Sequence, residues 1–263
     1  MHKVKLIASD LDGTLLLNGA QKLQSNTCEI IEQLIERGIY FIAASGRQYP
    51  NLLELFSPIK DKIGYICENG CMSYLNGELI SQETMSRELG QEIIKAIIDN
   101  GCEVFVSGKS TCYIQSDRRD FAQLMMETVH YHVTLVDDIF NTPEEYMKIS
   151  AYDINGHKNA DYFKERFSNR CTVQISGAEW LDNMPKGVNK STAFSKILKH
   201  LNIDAKDCIM FGDNDNDIEI LSMVGCPIVM NSAKKEIQEC GRYTIDRVEE
   251  ALLRILNGDE FNW

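Results

Sequence analysis

Val4-Lys5-Leu6-Ile7-Ala8-Ser9 runs as an apolar strand straight into Asp10-Leu11-Asp12-Gly13-Thr14, and this junction constrains the fold more than any other stretch. A strand that is apolar almost throughout, rather than alternating, is buried on both faces, as in parallel sheets covered by helices. In an extended chain, residues i and i+2 point the same way, so Asp10 and Asp12 leave the strand end together. Two like charges on one small patch are costly unless a cation or a proton relieves them. The pair is therefore either solvated and idle or placed to hold a metal and do chemistry.

The remaining pattern favours a doubly wound α/β fold. Helix periodicity over Asn26–Glu36, with an Asn26…Glu29 capping pattern and Gly38 as the stop, leads to the apolar strand 39–44, which ends at Ser45-Gly46-Arg47. The strand 64–67 ends at Glu68-Asn69-Gly70. The last third repeats the rhythm: helix 190–201, strand 208–211 ending at Gly212-Asp213, a helix through Ile218, Leu221 and Val224, strand 227–230, and helix 248–256. The middle differs. Helix 89–98, strands 102–107, 111–116, 147–154 and 171–175, and helices 118–129 and 158–168 predict an inserted α+β module. The expected organisation is a Rossmann-like core of 1–82 and 185–263 interrupted by a cap of 83–184, with hinges near Ser81–Met85 and Asp182–Gly187.

A chain of 263 residues with 44% hydrophobic content has ample material for two cores. Its net charge of −12 and the absence of a Lys/Arg cluster argue against a nucleic-acid surface. Any anionic ligand must then be drawn in by a local feature. Nine cysteines without a CxxC or zinc-like spacing read as reduced thiols. With no leader-like segment and no apolar run of membrane-spanning length, the expectation is a cytoplasmic protein without membrane contact, a monomer or weak homodimer.

Asp10/Asp12, Ser45-Gly46-Arg47, Lys190 and Asp213…Asn216-Asp217 all fall where apolar strands end or helices begin, and an open α/β sheet gathers such points round one crevice. Carboxylates, one lysine and one hydroxyl suit a phosphate monoester held with a hard, oxygen-liganded cation such as Mg²⁺. On these four ordered motifs, supported by Glu68-Asn69-Gly70 and Met230-Asn231-Ser232-Ala233, the chain resembles haloacid dehalogenase-superfamily phosphatases of the Cof-type subgroup, which carry a large α/β cap. It departs from that subgroup where the acidic-glycine loop after the last strand is shortened to Thr244–Glu249, near Asn231.

The resemblance implies residue roles. Asp10 would be the nucleophile and Asp12 the general acid, then base. Ser45, Gly46, Lys190 and Asn216 would hold the phosphoryl group. Asp10, the Asp12 backbone carbonyl and Asp213 would bind Mg²⁺, with Asp217, Gly13 and Thr14 in support. Arg47, Trp180 with Glu179, and Arg118 beside Arg119 are candidates for contact with the rest of a small phosphorylated metabolite. A phosphomutase, or a regulator that merely accepts phosphate on Asp10, remains an alternative, although the latter needs no leaving-group acid at Asp12.

Other motifs read more plainly. Gly108-Lys109-Ser110-Thr111 imitates a P-loop tail, but Glu103 stands where the first glycine is required, so a hairpin turn is expected. His130-Tyr131-His132 lacks a partner cluster for metal binding, Lys186 is a rival to Lys190, and Asp215 is expected to cap a helix.

Overall fold

The computed structural model describes residues 4–259 except 155 and 157, so the outermost parts of the first and last expected segments, 1–3 and 260–263, lie outside the described residues. The chain forms two sheets. The strands of the first are β1 (Leu6–Ser9), β2 (Tyr40–Ala44), β3 (Gly64–Cys67), β4 (Met72–Leu75) and β5 (Glu78–Gln82). The second contains β6 (Glu103–Ser107), β7 (Cys112–Gln115), β8 (Val133–Val136), β9 (Lys148–Tyr152), β10 (Cys171–Ile175) and β11 (Trp180–Pro185). The chain then returns to the first sheet with β12 (Cys208–Gly212), β13 (Cys226–Met230) and β14 (Tyr243–Ile245). The helices are α1 (Thr27–Glu36), α2 (Tyr49–Leu55), α3 (Arg87–Asp99), α4 (Arg119–Thr128), α5 (Ala160–Phe167), α6 (Lys190–Leu201), α7 (Ile218–Met223), α8 (Lys235–Gln238) and α9 (Val248–Asn257).

The first sheet has the order β14-β13-β12-β1-β2-β3-β4-β5, parallel from β14 to β3 and closed at one edge by the antiparallel hairpin of β4 and β5. From β1 the chain first moves to β2 and β3, and later returns to the other side of β1 as β12. The order thus reverses at β1, and a crevice opens beyond its carboxyl end. Ile7 faces a layer that includes Ile30, Ile31, Leu34, Val248 and Leu252 of α1 and α9. Leu6 and Ala8 face Phe194, Ile197, Ile220 and Leu221 of α6 and α7. All four β1 residues are therefore buried, which is why the segment carries no alternation.

The cap sheet has the order β10-β11-β9-β6-β7-β8 and is antiparallel except for β7 with β8. One core joins Ile93, Ile97, Phe163 and Phe167 of α3 and α5 to Val104, Val106 and Ile149. A smaller cluster sets Phe121 and Met125 of α4 against Phe105 and Ile114, with Tyr131 and Trp180 at its margin.

Several elements differ from the sequence expectation. Asn26 precedes α1 in a helical rather than extended conformation and makes no side-chain cap, so the Asn26…Glu29 box does not form. The expected hinge at 182–187 begins inside β11, leaving 186–189 outside regular structure. Strands β4, β5, β8, β11 and β14, and helices α2 and α8, were not expected; all are short, and α2 carries Pro50 in its first turn. The cysteines are free, with Cys28, Cys226 and Cys240 only half-buried. No helix among the described residues is long and apolar enough to cross a membrane.

Candidate active site

A crevice of about 230 Å³ lies over the end of β1, between the core and the cap. Asp10, Asp12, Ser45, Gly46, Arg47 and Asn216 line its core side, and Phe105, Tyr131, Lys148, Glu179 and Trp180 its cap side. Its floor is assembled from three strand ends and one helix start.

Asp10 is 5% exposed, and its amide donates to the Phe211 carbonyl of neighbouring β12 at 2.8 Å. Its Oδ1 accepts from Lys190 Nζ at 2.5 Å, and the same ammonium donates to Asp217 Oδ1 at 2.8 Å. Lys190 begins α6, directly after Asn189, whose side chain accepts from the Thr192 amide at 2.9 Å while Thr192 Oγ1 accepts from the Asn189 amide at 3.1 Å. This capping box fixes the helix start, and with it the base of the lysine side chain. Gly70, at φ +105°, packs against that start so closely that a Cβ would lie 2.1 Å from the Asn189 carbonyl oxygen. Asp217 Oδ2 accepts from the amides of Asp213 and Asn214, at 3.1 and 3.2 Å. Asp217 is thus fully committed, to Lys190 on one oxygen and to the turn after β12 on the other.

Asp213 is set by Thr14, whose Oγ1 donates to Asp213 Oδ1 at 2.7 Å. Gly13 leaves room for it: a Cβ there would lie 2.2 Å from Asp213 Oδ2, and φ is +92°. Oxygens of Asp10, Asp213 and Asp217 lie within 4.8 Å of one another. Burial pushes the Asp10 carboxyl up, Lys190 offsets part of the rise, and Asp217 and Asp213 add to it. Burial likewise raises Asp213, against the Thr14 hydrogen bond. Burial alone would lower the Lys190 ammonium, but Asp10 and Asp217 hold it above the ordinary lysine range. Three carboxylates therefore share one ammonium, and the surplus negative charge between Asp10 and Asp213, in an all-oxygen setting, fits a hard divalent cation.

Asp12 is in different surroundings. Its carboxylate is half exposed and meets Arg47 through both oxygens, Nε to Oδ2 at 2.8 Å and Nη2 to Oδ1 at 2.6 Å. Arg47, expected to face a substrate, lines the crevice but spends its guanidinium on Asp12 and on Asn51 Oδ1 at 3.2 Å. Ser45 is buried on the crevice wall, and its Oγ accepts from the Arg47 amide at 3.1 Å. Asn216 Nδ2 donates to Asn69 Oδ1 at 3.1 Å, and Asn216 Oδ1 is buried without a protein partner.

Trp180 and Glu179 do line the crevice. Arg118 does not: it is exposed and lies 3.5 Å from Glu103. Lys186 points to the Ser168 carbonyl, on the surface. Asn214, not Asp215, supplies the cap of the turn after β12, accepting from the Asp215 amide at 2.8 Å, while Asp215 lies 3.5 Å from Lys234. The segment 108–111 is the β6–β7 hairpin turn, closed from the Gly108 amide to the Thr111 carbonyl at 3.0 Å. His132 pairs with Glu54 at 3.0 Å, and Asn231 pairs with Asp246 at 2.8 Å.

Sequence reasoning missed a buried cluster at the seam between core and cap. Lys148 of β9 lies 2.7 Å from Glu68 and 3.5 Å from Asp182 of β11, and donates to the Gly46 carbonyl at 2.9 Å. Asn69 donates to Asp182 at 2.8 Å, and Glu68 and Asn69 both take left-handed conformations. The available signal was charge in apolar company, Lys148 in Met147–Ala151 and Asp182 in Leu181–Met184, since such residues are rarely buried unless paired.

A family model described as haloacid dehalogenase-like hydrolase matches residues 7–254. The chain is 24% identical over 243 residues to the 5-amino-6-(5-phospho-D-ribitylamino)uracil phosphatase of Escherichia coli, covering 91% of this chain and 90% of that protein. It is 26% identical over 239 residues to an HMP-PP phosphatase of Yersinia pseudotuberculosis, with 89% and 86% covered. A crystal structure of a Streptococcus mutans protein superimposes with a TM-score of 0.88 at 25% identity, over 97% of this chain and all (100%) of that one.

Proposed function

The chain belongs to the haloacid dehalogenase-like hydrolase family and is a phosphoric monoester hydrolase, and we propose that it cleaves small phosphorylated metabolites through a covalent phosphoryl intermediate on Asp10, with Mg²⁺ beside it. The observation that carries this reading is the buried Asp10 carboxylate at the crevice floor, paired with Lys190 at 2.5 Å and adjoining Asp213.

Asp10 and Asp213, with the Asp12 backbone carbonyl, would hold the cation. Bound there, Mg²⁺ would neutralise the transferring phosphoryl group and orient it for in-line attack. An Asp10 carboxylate oxygen attacks phosphorus, the bond from phosphorus to the ester oxygen breaks, and Asp12 gives its proton to that oxygen. Water then attacks the phosphorus, Asp12 takes its proton, and the bond to Asp10 breaks to release phosphate. Lys190, with Ser45, Gly46 and Asn216, stabilises the charge spread over the phosphoryl oxygens. Asp217 keeps Lys190 charged and aimed.

The proposed division is a core of 1–82 and 185–263 with a cap of 83–184, acting in the cytoplasm as a monomer or weak homodimer. The cap closes the crevice with Phe105, Tyr131 and Trp180, an apolar wall suited to the ring of a sugar phosphate or similar monoester. The relatives named as a 5-amino-6-(5-phospho-D-ribitylamino)uracil phosphatase and an HMP-PP phosphatase make those two compounds part of the panel to be tried. Purified protein with Mg²⁺ should release phosphate from members of a monoester panel, lose that activity with a chelator, and yield no isomerised phosphoester. Absence of hydrolysis across the panel, or equal rates without any divalent cation, would contradict the reading.

A further inference from the structure

Asn51 touches neither the crevice floor nor the phosphoryl clamp, yet it joins two parts of the molecule that the chemistry needs in register. Its Nδ2 donates to the backbone carbonyls of Val129 and His130 in the cap, each at 3.2 Å. Its Oδ1 accepts from Arg47 Nη1 at 3.2 Å, and Arg47 grips Asp12 through both carboxylate oxygens, at 2.6 and 2.8 Å. Arg47 and Asn51 are 4% and 5% exposed, whereas the Asp12 side chain is 54% exposed. The carboxylate thus depends on the guanidinium for its direction, and the guanidinium depends on Asn51.

We propose that Asn51 is a positioning residue that ties the seating of cap segment 129–130 to the aim of the Asp12 carboxylate. The inference rests on the reading of Asp12 as proton donor to the leaving oxygen. An amide suits the position because it turns an acceptor to the arginine and its two donors to the two carbonyls; reversed, it would set donors against a cation and an acceptor against carbonyls. A planar bidentate pair then fixes the carboxylate in rotation as well as distance. The same helix start holds the cap segment at a second point: Gln48, just before α2, accepts from the His132 amide at 2.9 Å and donates to the His132 carbonyl at 3.0 Å. When segment 129–130 is not seated, Asn51 loses both acceptors, and the aim of Asp12 loosens before substrate is enclosed.

The test uses two esters. Protonation matters for an alkyl leaving group and little for p-nitrophenolate, so kcat/KM, which reports steps through the first phosphoryl transfer, separates aim from folding. Asn51→Ala should lower kcat/KM for an alkyl phosphate about tenfold or more, while p-nitrophenyl phosphate changes by less than about threefold. Asn51→Asp, equal in size and unable to donate to the carbonyls, should show the same selective loss and serves if the alanine variant does not melt like wild type. Parallel losses on both esters, or no loss on either, would overturn the inference. Asp12→Asn run alongside keeps the two readings apart: a selective loss there with none at position 51 removes only the role of Asn51, whereas no selectivity at Asp12 removes the acid reading and this inference with it.

Discussion

Asp10 and Asp12 are two residues apart, yet their surroundings assign them opposite tasks. Asp10 is buried beside Lys190, Asp213 and Asp217, so it stays charged only with help from cations. Asp12 is half exposed and swung onto Arg47. The turn between the pair depends on Gly13, because any side chain there meets both a left-handed backbone and the Asp213 carboxylate at 2.2 Å. Gly13→Ala should cost about 1–3 kcal/mol of stability. By displacing Asp213 it should also raise the Mg²⁺ concentration for half-maximal activity about tenfold or more. Thermal melts and Mg²⁺ titration of phosphate release check the two effects, and an unchanged Mg²⁺ requirement would remove Asp213 from the cation site.

At the scale of elements, legibility followed burial. Strands β1, β2, β3 and β12 carry no alternation because helices cover both faces, and their apolar runs stand out in the sequence. Each ends in the polar residues that line or underlie the crevice, so the floor of the site was legible with them. Helix α2 was not, because seven residues with a proline in the first turn give too short a period, and nothing in the sequence marks the polar Gln48 and Asn51 as buried against the cap. Arg118 failed for a related reason. A basic pair at a helix start is compatible with a ligand, but which way α4 faces is set by Phe121 and Met125 packing on the cap sheet, a tertiary fact. Arg47 lines the crevice, while its pairing with Asp12 became visible only once β1 and β2 were side by side.

At the scale of the molecule, core and cap are joined by the buried cluster of Lys148, Glu68 and Asp182. Lys148 raises no catalytic expectation, and its loss would leave two carboxylates buried, so Lys148→Met should cost about 3–5 kcal/mol. The pH dependence has a definite sign. Burial raises the Glu68 carboxyl and Lys148 lowers it; without the lysine the folded value rises further above the unfolded one. Stability of the variant is then retained at acidic pH and lost as pH rises through that folded value, so its deficit against wild type should widen from about pH 5 to about pH 8. Denaturant melts at both pH values check this, and a deficit that narrows would contradict the charge assignment. The central claim is the phosphoryl bond to Asp10. Rapid acid quench of the Mg²⁺-loaded protein with a ³²P-labelled monoester that it turns over should trap protein-bound label that is labile to hydroxylamine, maps to Asp10 and is lost in Asp10→Asn. Turnover of that ester with no protein-bound phosphate at any quench time, or label on another residue, would contradict the account.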